Sequence, residues 1–468
     1  MKARAPALAI AALLAGCASA PAPLPPPDLK LPAAWKAEPP FREARPADGA
    51  PKGPWWQRLG DAQLSALQEE ALARNATLEA AGARLAQAQA VLAAAGAARF
   101  PQLAFGARAA RQRVSANRPL ASYTGTNFAT VQNDFTAAFS VGYEVDLFGR
   151  VDGTVAAAQA GAEQAAADLA NARLVLGADL AAAWVNLRAV DLDLDVVERS
   201  VGLQRRALQF VSERRAGGAA SGLEVAQQQA LLDSTLTQRD LLQRQRALFV
   251  DAIATLVGTP APSFTVAPAL VRFEPPPVPA GVPSDLLERR PDVAAAERAM
   301  AVANAQLGVA RAAGFPSVTL GAGYGAESRV LSSLLDAPSI LWSLGAQAAQ
   351  VLFDGGRLKA NEAFAKAGWD LAAANYRRTV LGAMQEVEDG LAGAAHLGRA
   401  AAQAEQAAES ARRLLALSSA RYEGGAGTYL EVITAQQGAL AAERQAAQLQ
   451  SQQVLASVFL VKALGGGW

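Results

Sequence analysis

The sequence predicts a mainly helical chain with a minor β component. Long antiparallel coiled-coil helices form most of it, and four strands per chain contribute to a membrane barrel. Three observations lead there. Residues 134–148 alternate: Phe135, Ala137, Phe139, Val141, Tyr143, Val145 and Leu147 on one face, Asp134, Thr136, Ala138, Ser140, Gly142, Glu144 and Asp146 on the other. Successive strand residues face opposite sides, so one face is apolar and the other small, polar and acidic. Second, the chain repeats itself. RFPQLAFGA (99–107) matches GFPSVTLGA (314–322), VDLFGR (145–150) matches VLFDGGR (351–357), and SERRAGGAASGLEVAQQQALL (212–232) matches SARYEGGAGTYLEVITAQQGAL (419–440). Third, a proline-free helical pattern runs from about 150 to 214, and at 1.5 Å per residue it spans roughly 98 Å, too long for an ordinary globular domain.

The first element is a leader. Lys2 and Arg4 precede an apolar run, Ala7–Leu14, and then Leu14-Ala15-Gly16-Cys17, which reads as a secretory signal over 1–16. The tetrapeptide resembles the bacterial lipobox, in which the Cys is acylated, and Ala18 rather than Asp after it implies delivery to the outer membrane. Cys17 is the only cysteine, so no disulfide forms within the chain. Residues 17–54 are a proline-rich, lipidated tether, and Trp55-Trp56 opens the folded body.

The first repeat is expected over 55–258. It holds a helix at 77–98, strands at about 101–113 and 134–148 joined by a polar loop, the long helix 150–214, a Gly-rich reversal and a return helix at 223–258. The long helix keeps a heptad: Leu176, Ala183, Val190, Val197, Gln204 and Val211 at one position, Leu180, Leu187, Leu194, Val201 and Leu208 at the other. A second stripe, Leu174, Ala181, Val185, Leu192, Val196, Leu203 and Phe210, gives it a second neighbour, as for a stave in a ring of helices. A proline-rich linker at 259–283 is expected in the equatorial region. The second repeat, 284–468, opens a helix at Pro291, where the missing N–H costs nothing, with Asp292 near its positive end. Strands follow at about 316–327 and 339–353, then a long helix at 356–422 and a return helix at 428–464. Gly465-Gly466-Gly467 reads as a frayed tail.

Four strands cannot close a barrel, and an open edge is forbidden in lipid. Two chains would give the smallest filled barrel; three give twelve strands and room for a pore. Small and polar residues on the inward face, among them Ser140, Glu144, Asp146, Ser317 and Thr319, favour the wider one as pore lining. No later window holds the roughly 18 uninterrupted apolar residues of a membrane helix.

Enzyme chemistry finds no purchase. The single histidine, His396, lies within a long helix; there is no Cys/His metal cluster, catalytic triad or nucleotide loop. Gly355-Gly356 lacks the flanking pattern of a phosphate loop. Neither a metal nor another cofactor is expected. With 43 basic and 42 acidic residues, the net charge of +1 gives no nucleic-acid footprint.

Taken in order, Leu14-Ala15-Gly16-Cys17, Trp55-Trp56, Phe100-Pro101, Val145-Asp146-Leu147-Phe148-Gly149-Arg150, Arg289-Arg290-Pro291-Asp292, Gly314-Phe315-Pro316 and Leu352-Phe353-Asp354-Gly355-Gly356-Arg357 resemble the TolC/OprM-type outer-membrane factor family, in its lipoprotein efflux (NodT-like) branch. The resemblance covers nearly the whole chain after Cys17. It implies a homotrimer with a shared 12-stranded outer-membrane β-barrel and a periplasmic α-barrel. The implied partners are a periplasmic adaptor (membrane fusion) protein, an inner-membrane resistance-nodulation-division pump and outer-membrane lipid. It places the two reversals at the periplasmic tip, as adaptor contacts: Gly217, Gly218 and Gly222, and Gly424, Gly425, Gly427 and Thr428. Members of the family close that tip with an acidic ring and an Arg–Asp lock. Here the matching positions are Glu423 and Thr434, with Glu423 and Glu431 the nearest carboxylates, so the usual lock is missing. Three functions stay open at this point: the exit duct of a tripartite efflux system, the duct of a type I protein secretion system, and a structural coiled-coil lipoprotein without a pore.

Overall fold

The computed structural model describes Leu24 and residues 53–116, 130–276 and 289–466. The signal, Cys17 and most of the tether lie outside them. The helices are α1 (Ala62–Arg74), α2 (Ala76–Ala97), α3 (Arg150–Ala216), α4 (Gly222–Val257), α5 (Pro291–Ala312), α6 (Arg357–Glu423) and α7 (Tyr429–Ala463). The strands are β1 (Gln102–Val114), β2 (Thr130–Val145), β3 (Ser317–Ser328) and β4 (Ile340–Ala349). The chain divides into two compact units: Met1–Pro27, Leu85–Ala165 and Ala296–Tyr376 in one, Asp28–Arg84, Ala166–Ala295 and Arg377–Trp468 in the other. No helix among the described residues is long and apolar enough to cross a membrane.

The first unit is built on one antiparallel sheet in the order β1-β2-β3-β4. β2 starts at Thr130, four residues before the expected 134, because Thr130–Asn133, polar except for Val131, still pair with Arg111–Val114. It stops at Val145, where the Asp146 carboxylate accepts from the Asp152 N–H (2.7 Å) at the start of α3. β4 stops at Ala349 rather than 353. Beyond it Asp354 accepts from the Gly356 and Leu358 N–H groups and caps α6. Those N–H bonds, led by that of Leu358, hold its carboxyl below the usual range. The motifs VDLFGR and VLFDGGR are therefore strand-to-helix turns, each with an Asp receiving helix N–H groups.

The second unit has a core of Trp55, Leu64, Leu180, Trp184, Leu187, Ile253 and Val257, with Val458 and Val461 of α7. Asp61 starts α1 by accepting from the Leu64 N–H (2.9 Å), and its other oxygen accepts from Trp184 Nε1 (3.0 Å). Both long helices run 67 residues, roughly 100 Å each at 1.5 Å per residue. Most heptad positions of α3 are buried, Leu176, Leu180, Leu187, Val190, Val197, Val201, Gln204 and Val211 among them, while Ala183, Leu194 and Leu208 are partly buried. The second stripe is buried at Ala181, Val185 and Val196, partly buried at Leu174 and Leu192, and emerges at Leu203 and Phe210. Asp191, inside α3, receives Arg188 (2.9 Å), Arg246 of α4 (2.7 Å) and the Ala269 N–H (3.1 Å), which ties the described part of the linker to the helices.

Two readings change. The RRPD motif does more than start a helix: buried Arg290 donates to Asp292, Glu386 of α6 and the Ala463 carbonyl that ends α7. The described part of the expected frayed tail is packed. Gly465 and Gly466 are buried with φ of 84° and 69°. A Cβ on Gly465 would stand 2.6 Å from the Arg289 carbonyl oxygen, and one on Gly466 2.7 Å from Leu174. These glycines are there because nothing larger fits.

Candidate functional site

In the first unit the register sorts the strand residues into rows. Phe105, Phe139, Tyr324 and Trp342 lie side by side across all four strands. They are large, apolar and exposed, at 62, 50, 60 and 76 %. The neighbouring row on the same face is Leu103, Val141, Ala322 and Leu344, and Tyr143, Leu320 and Ala346 follow. From Val145 to Phe135 this band covers ten residue steps, about 33 Å along a strand; tilted about 40°, that is about 25 Å, the height of a barrel's lipid-facing band.

The opposite face carries a row of glycines, Gly142, Gly321 and Gly345, beside the row Ala104, Ser140, Gly323 and Ser343. Thr319 pairs with Glu144 and with Gln347, and Ser317 pairs with Ala349. This is the concave face, and an open groove of about 910 Å³ runs along it. Glycine is required on this face at Gly325, where a Cβ would collide with the Ala137 carbonyl oxygen. Of the five residues read as lining, Ser140, Glu144, Ser317 and Thr319 share this face; Asp146 lies just past the strand. Glu144 is paired to Arg150 (2.8 Å), which raises the guanidinium pKa, mainly through that hydrogen bond.

The second unit holds both reversals, and they are built alike. The Gly218 N–H donates to Arg215 and the Ala219 N–H to Arg214; the Gly425 N–H donates to Tyr422 and the Ala426 N–H to Arg421. Gly218 and Gly425 take φ of 78° and 76°. Ser221 caps α4. Thr428 and Glu431 form a capping box on α7, and Glu431 also lies 3.7 Å from Arg421. Thr434 donates back to the Leu430 carbonyl (2.8 Å). Glu431 and Thr434 are thus engaged within their own hairpin, while Glu423 is exposed and makes no ion pair among the described residues.

The contact between the two hairpins uses other residues. Tyr422 donates to Glu224 (2.8 Å) and Tyr429 to Gln228 (2.6 Å), with the two rings 4.9 Å apart. Arg214 stands 4.9 Å over the Tyr422 ring. Val211, Leu231, Val432 and Ile433 close the cluster. Burial first, then neighbouring charge, pushes both phenols above their ordinary pKa; at Tyr422 the bond to Glu224 adds to this. The repeat alignment held the clue: Tyr422 and Tyr429 fall where the first copy has Arg215 and Gly222. Below the cluster Gln228 donates to the carbonyl of fully buried Gln204, the polar break in the heptad.

Among the described residues no group of His, Cys, Asp and Glu could hold a metal ion. The profile of the outer membrane efflux protein family matches residues 67–259 and 282–466, one block per repeat. The pyoverdine export outer membrane protein OpmQ of Pseudomonas aeruginosa is 35 % identical over 463 residues, 97 % of this chain and 95 % of that protein. OprJ of the same organism is 31 % identical over 88 % of this chain and 86 % of its own. Among solved structures, the outer-membrane channel OprN aligns with a TM-score of 0.84 at 28 % identity, over 97 % of this chain and 100 % of its own. The outer membrane protein VceC of Vibrio cholerae gives 0.81 at 30 % identity, over 88 % and 98 %. Strands with segregated faces, paired long helices and a family match over both repeats place this chain in the outer membrane efflux protein family, as an outer-membrane channel that extends into the periplasm.

Proposed function

We propose that three copies of this chain form the exit duct of a tripartite efflux system. An inner-membrane resistance-nodulation-division pump would hand small molecules to it through a periplasmic adaptor. The carrying observation is the four-stranded sheet, apolar over about 25 Å on one face and small and polar on its concave other. Closure of twelve strands satisfies the two free edges and leaves a lumen lined by Ser140, Ser317 and Thr319, with Glu144 near one rim. The glycine reversals at 217–222 and 424–428 meet the adaptor. Cys17 carries the lipid anchor.

A planar-bilayer recording and a drug-susceptibility assay test this together. The purified protein should give discrete conductance steps, and its gene should restore efflux in a strain lacking its own duct when adaptor and pump are supplied. Conductance without restoration would leave a channel and refute the partnership; neither would refute both. Mass spectrometry should find a chain starting at an acylated Cys17, and an unmodified Cys17 would remove the anchor.

A further inference from the structure

The outward face of the sheet carries two charges among its described strand residues, Arg111 and Arg113. Both sit on β1 at the end away from the helices, two and four residues beyond Ala109, where the apolar band stops. Both are exposed. Their partners across the ladder are Asn133 and Val131, and the acids of these strands, Asp134, Glu144 and Glu327, all point to the other face. The concave face, in contrast, mixes both signs, with Arg108 beside Thr136 and Glu327 in one row.

We propose that Arg111 and Arg113 form a binding site for the phosphorylated headgroup of lipid A in the outer leaflet. The inference rests on the barrel reading above, because the outward face must touch lipid. Two guanidiniums on one strand face lie about 6.6 Å apart along the backbone, and each presents a planar fork suited to a phosphate. They stand at the level where the acyl region gives way to headgroups, so the acyl chains lie along Ala109, Ala107 and Phe105 while the phosphate meets the arginines. Asn133 adds a side-chain donor in the same row. No carboxylate of the described strand residues shares this face with the cations, so the site selects an anionic lipid over a zwitterionic one.

Native mass spectrometry of the detergent-purified protein, titrated with lipid A, tests this. Wild type should retain bis-phosphorylated lipid A at least tenfold better than R111A/R113A, and R108A, altered on the concave face, should match wild type. Wild type should bind monophosphorylated lipid A more weakly and phosphatidylethanolamine least, and inorganic phosphate should not displace the lipid. Equal retention by wild type and the double variant would overturn the site. So would equal binding of lipid A with and without its phosphates, which is measured on wild type alone and holds even if the variant fails to assemble. Conductance of the same samples reports the barrel, so loss of retention with normal channels isolates the lipid site from the channel reading.

Discussion

Tyr422 and Tyr429 join the two hairpins, through Glu224 and Gln228 of the first repeat. Each phenol bridges the two repeats through one hydrogen bond, and each lies in an apolar cluster. Tyr422→Phe removes the donor to Glu224 and keeps the ring. Because Glu224 keeps partial access to water, the cost should be near 1 kcal/mol. The closed-state leak in planar bilayers is expected to rise. Glu431→Gln preserves an acceptor for the capping box and should leave that leak nearly unchanged; a larger effect than Tyr422→Phe would assign the gate to Glu431. The raised phenol pKa values set the pH window. A group whose folded pKa is raised stabilises fully below its unfolded value, near 10 for Tyr, and loses that contribution as pH climbs through the folded value. The phenols therefore add no pH dependence between 5 and 8, and leak from this source should begin only above about pH 10. These tyrosines were legible only as the point where the two copies disagree, since no residue periodicity announces a contact between distant hairpins.

Strand faces and helix seams were the most legible elements, because each follows from a period alone. Phe139→Arg puts a cation on the lipid face at about 2–4 kcal/mol and should block assembly into an oligomer resistant to SDS. Ser140→Arg, one residue on, faces the concave side and should assemble with altered conductance. Equal assembly of both would reverse the faces. Element ends were less legible. Strand β2 extends through the mostly polar Thr130–Asn133 because pairing with β1, not hydrophobicity, decides it. The turn after β4 is set by Asp354 capping α6, which overrides the apolar run Val351-Leu352-Phe353. Gly258 shows the same dependence on context. Its φ of 84° ends α4, and a Cβ would stand 2.5 Å from the Arg74 carbonyl oxygen. Gly258→Ala should lower the melting temperature, whereas an exposed Gly→Ala at a compatible φ should raise it, being stabilising by about 0.4–1 kcal/mol.

For the whole molecule, four strands with two unpaired edges require partners in lipid. Native mass spectrometry is expected to give three chains, and a stable monomer with a folded sheet would refute the closed barrel. Within the second unit, Arg290 gathers the start of α5, the middle of α6 and the end of α7. Arg290→Ala should cost about 2–3 kcal/mol by thermal unfolding. That is below the 3–5 kcal/mol of a fully buried pair, since Asp292 and Glu386 keep side-chain exposures of 29 and 41 %.

By itself the sequence determined the helices, the strand faces, the repeat and the glycine reversals, because each is written in local spacing: a period of two, a heptad, a Gly where φ must be positive. The tertiary structure decided which polar residues meet. Asp61 with Trp184, Arg444 with Asp193, Tyr422 with Glu224 and Arg290 with Ala463 are separated by 123, 251, 198 and 173 residues. Such pairs have no spacing rule, because packing of the helices, not the chain between them, brings the groups within hydrogen-bond reach. It also decided that two glycines at the end of the described chain are buried against Arg289 and Leu174, a fit visible only once the neighbouring backbone is in place.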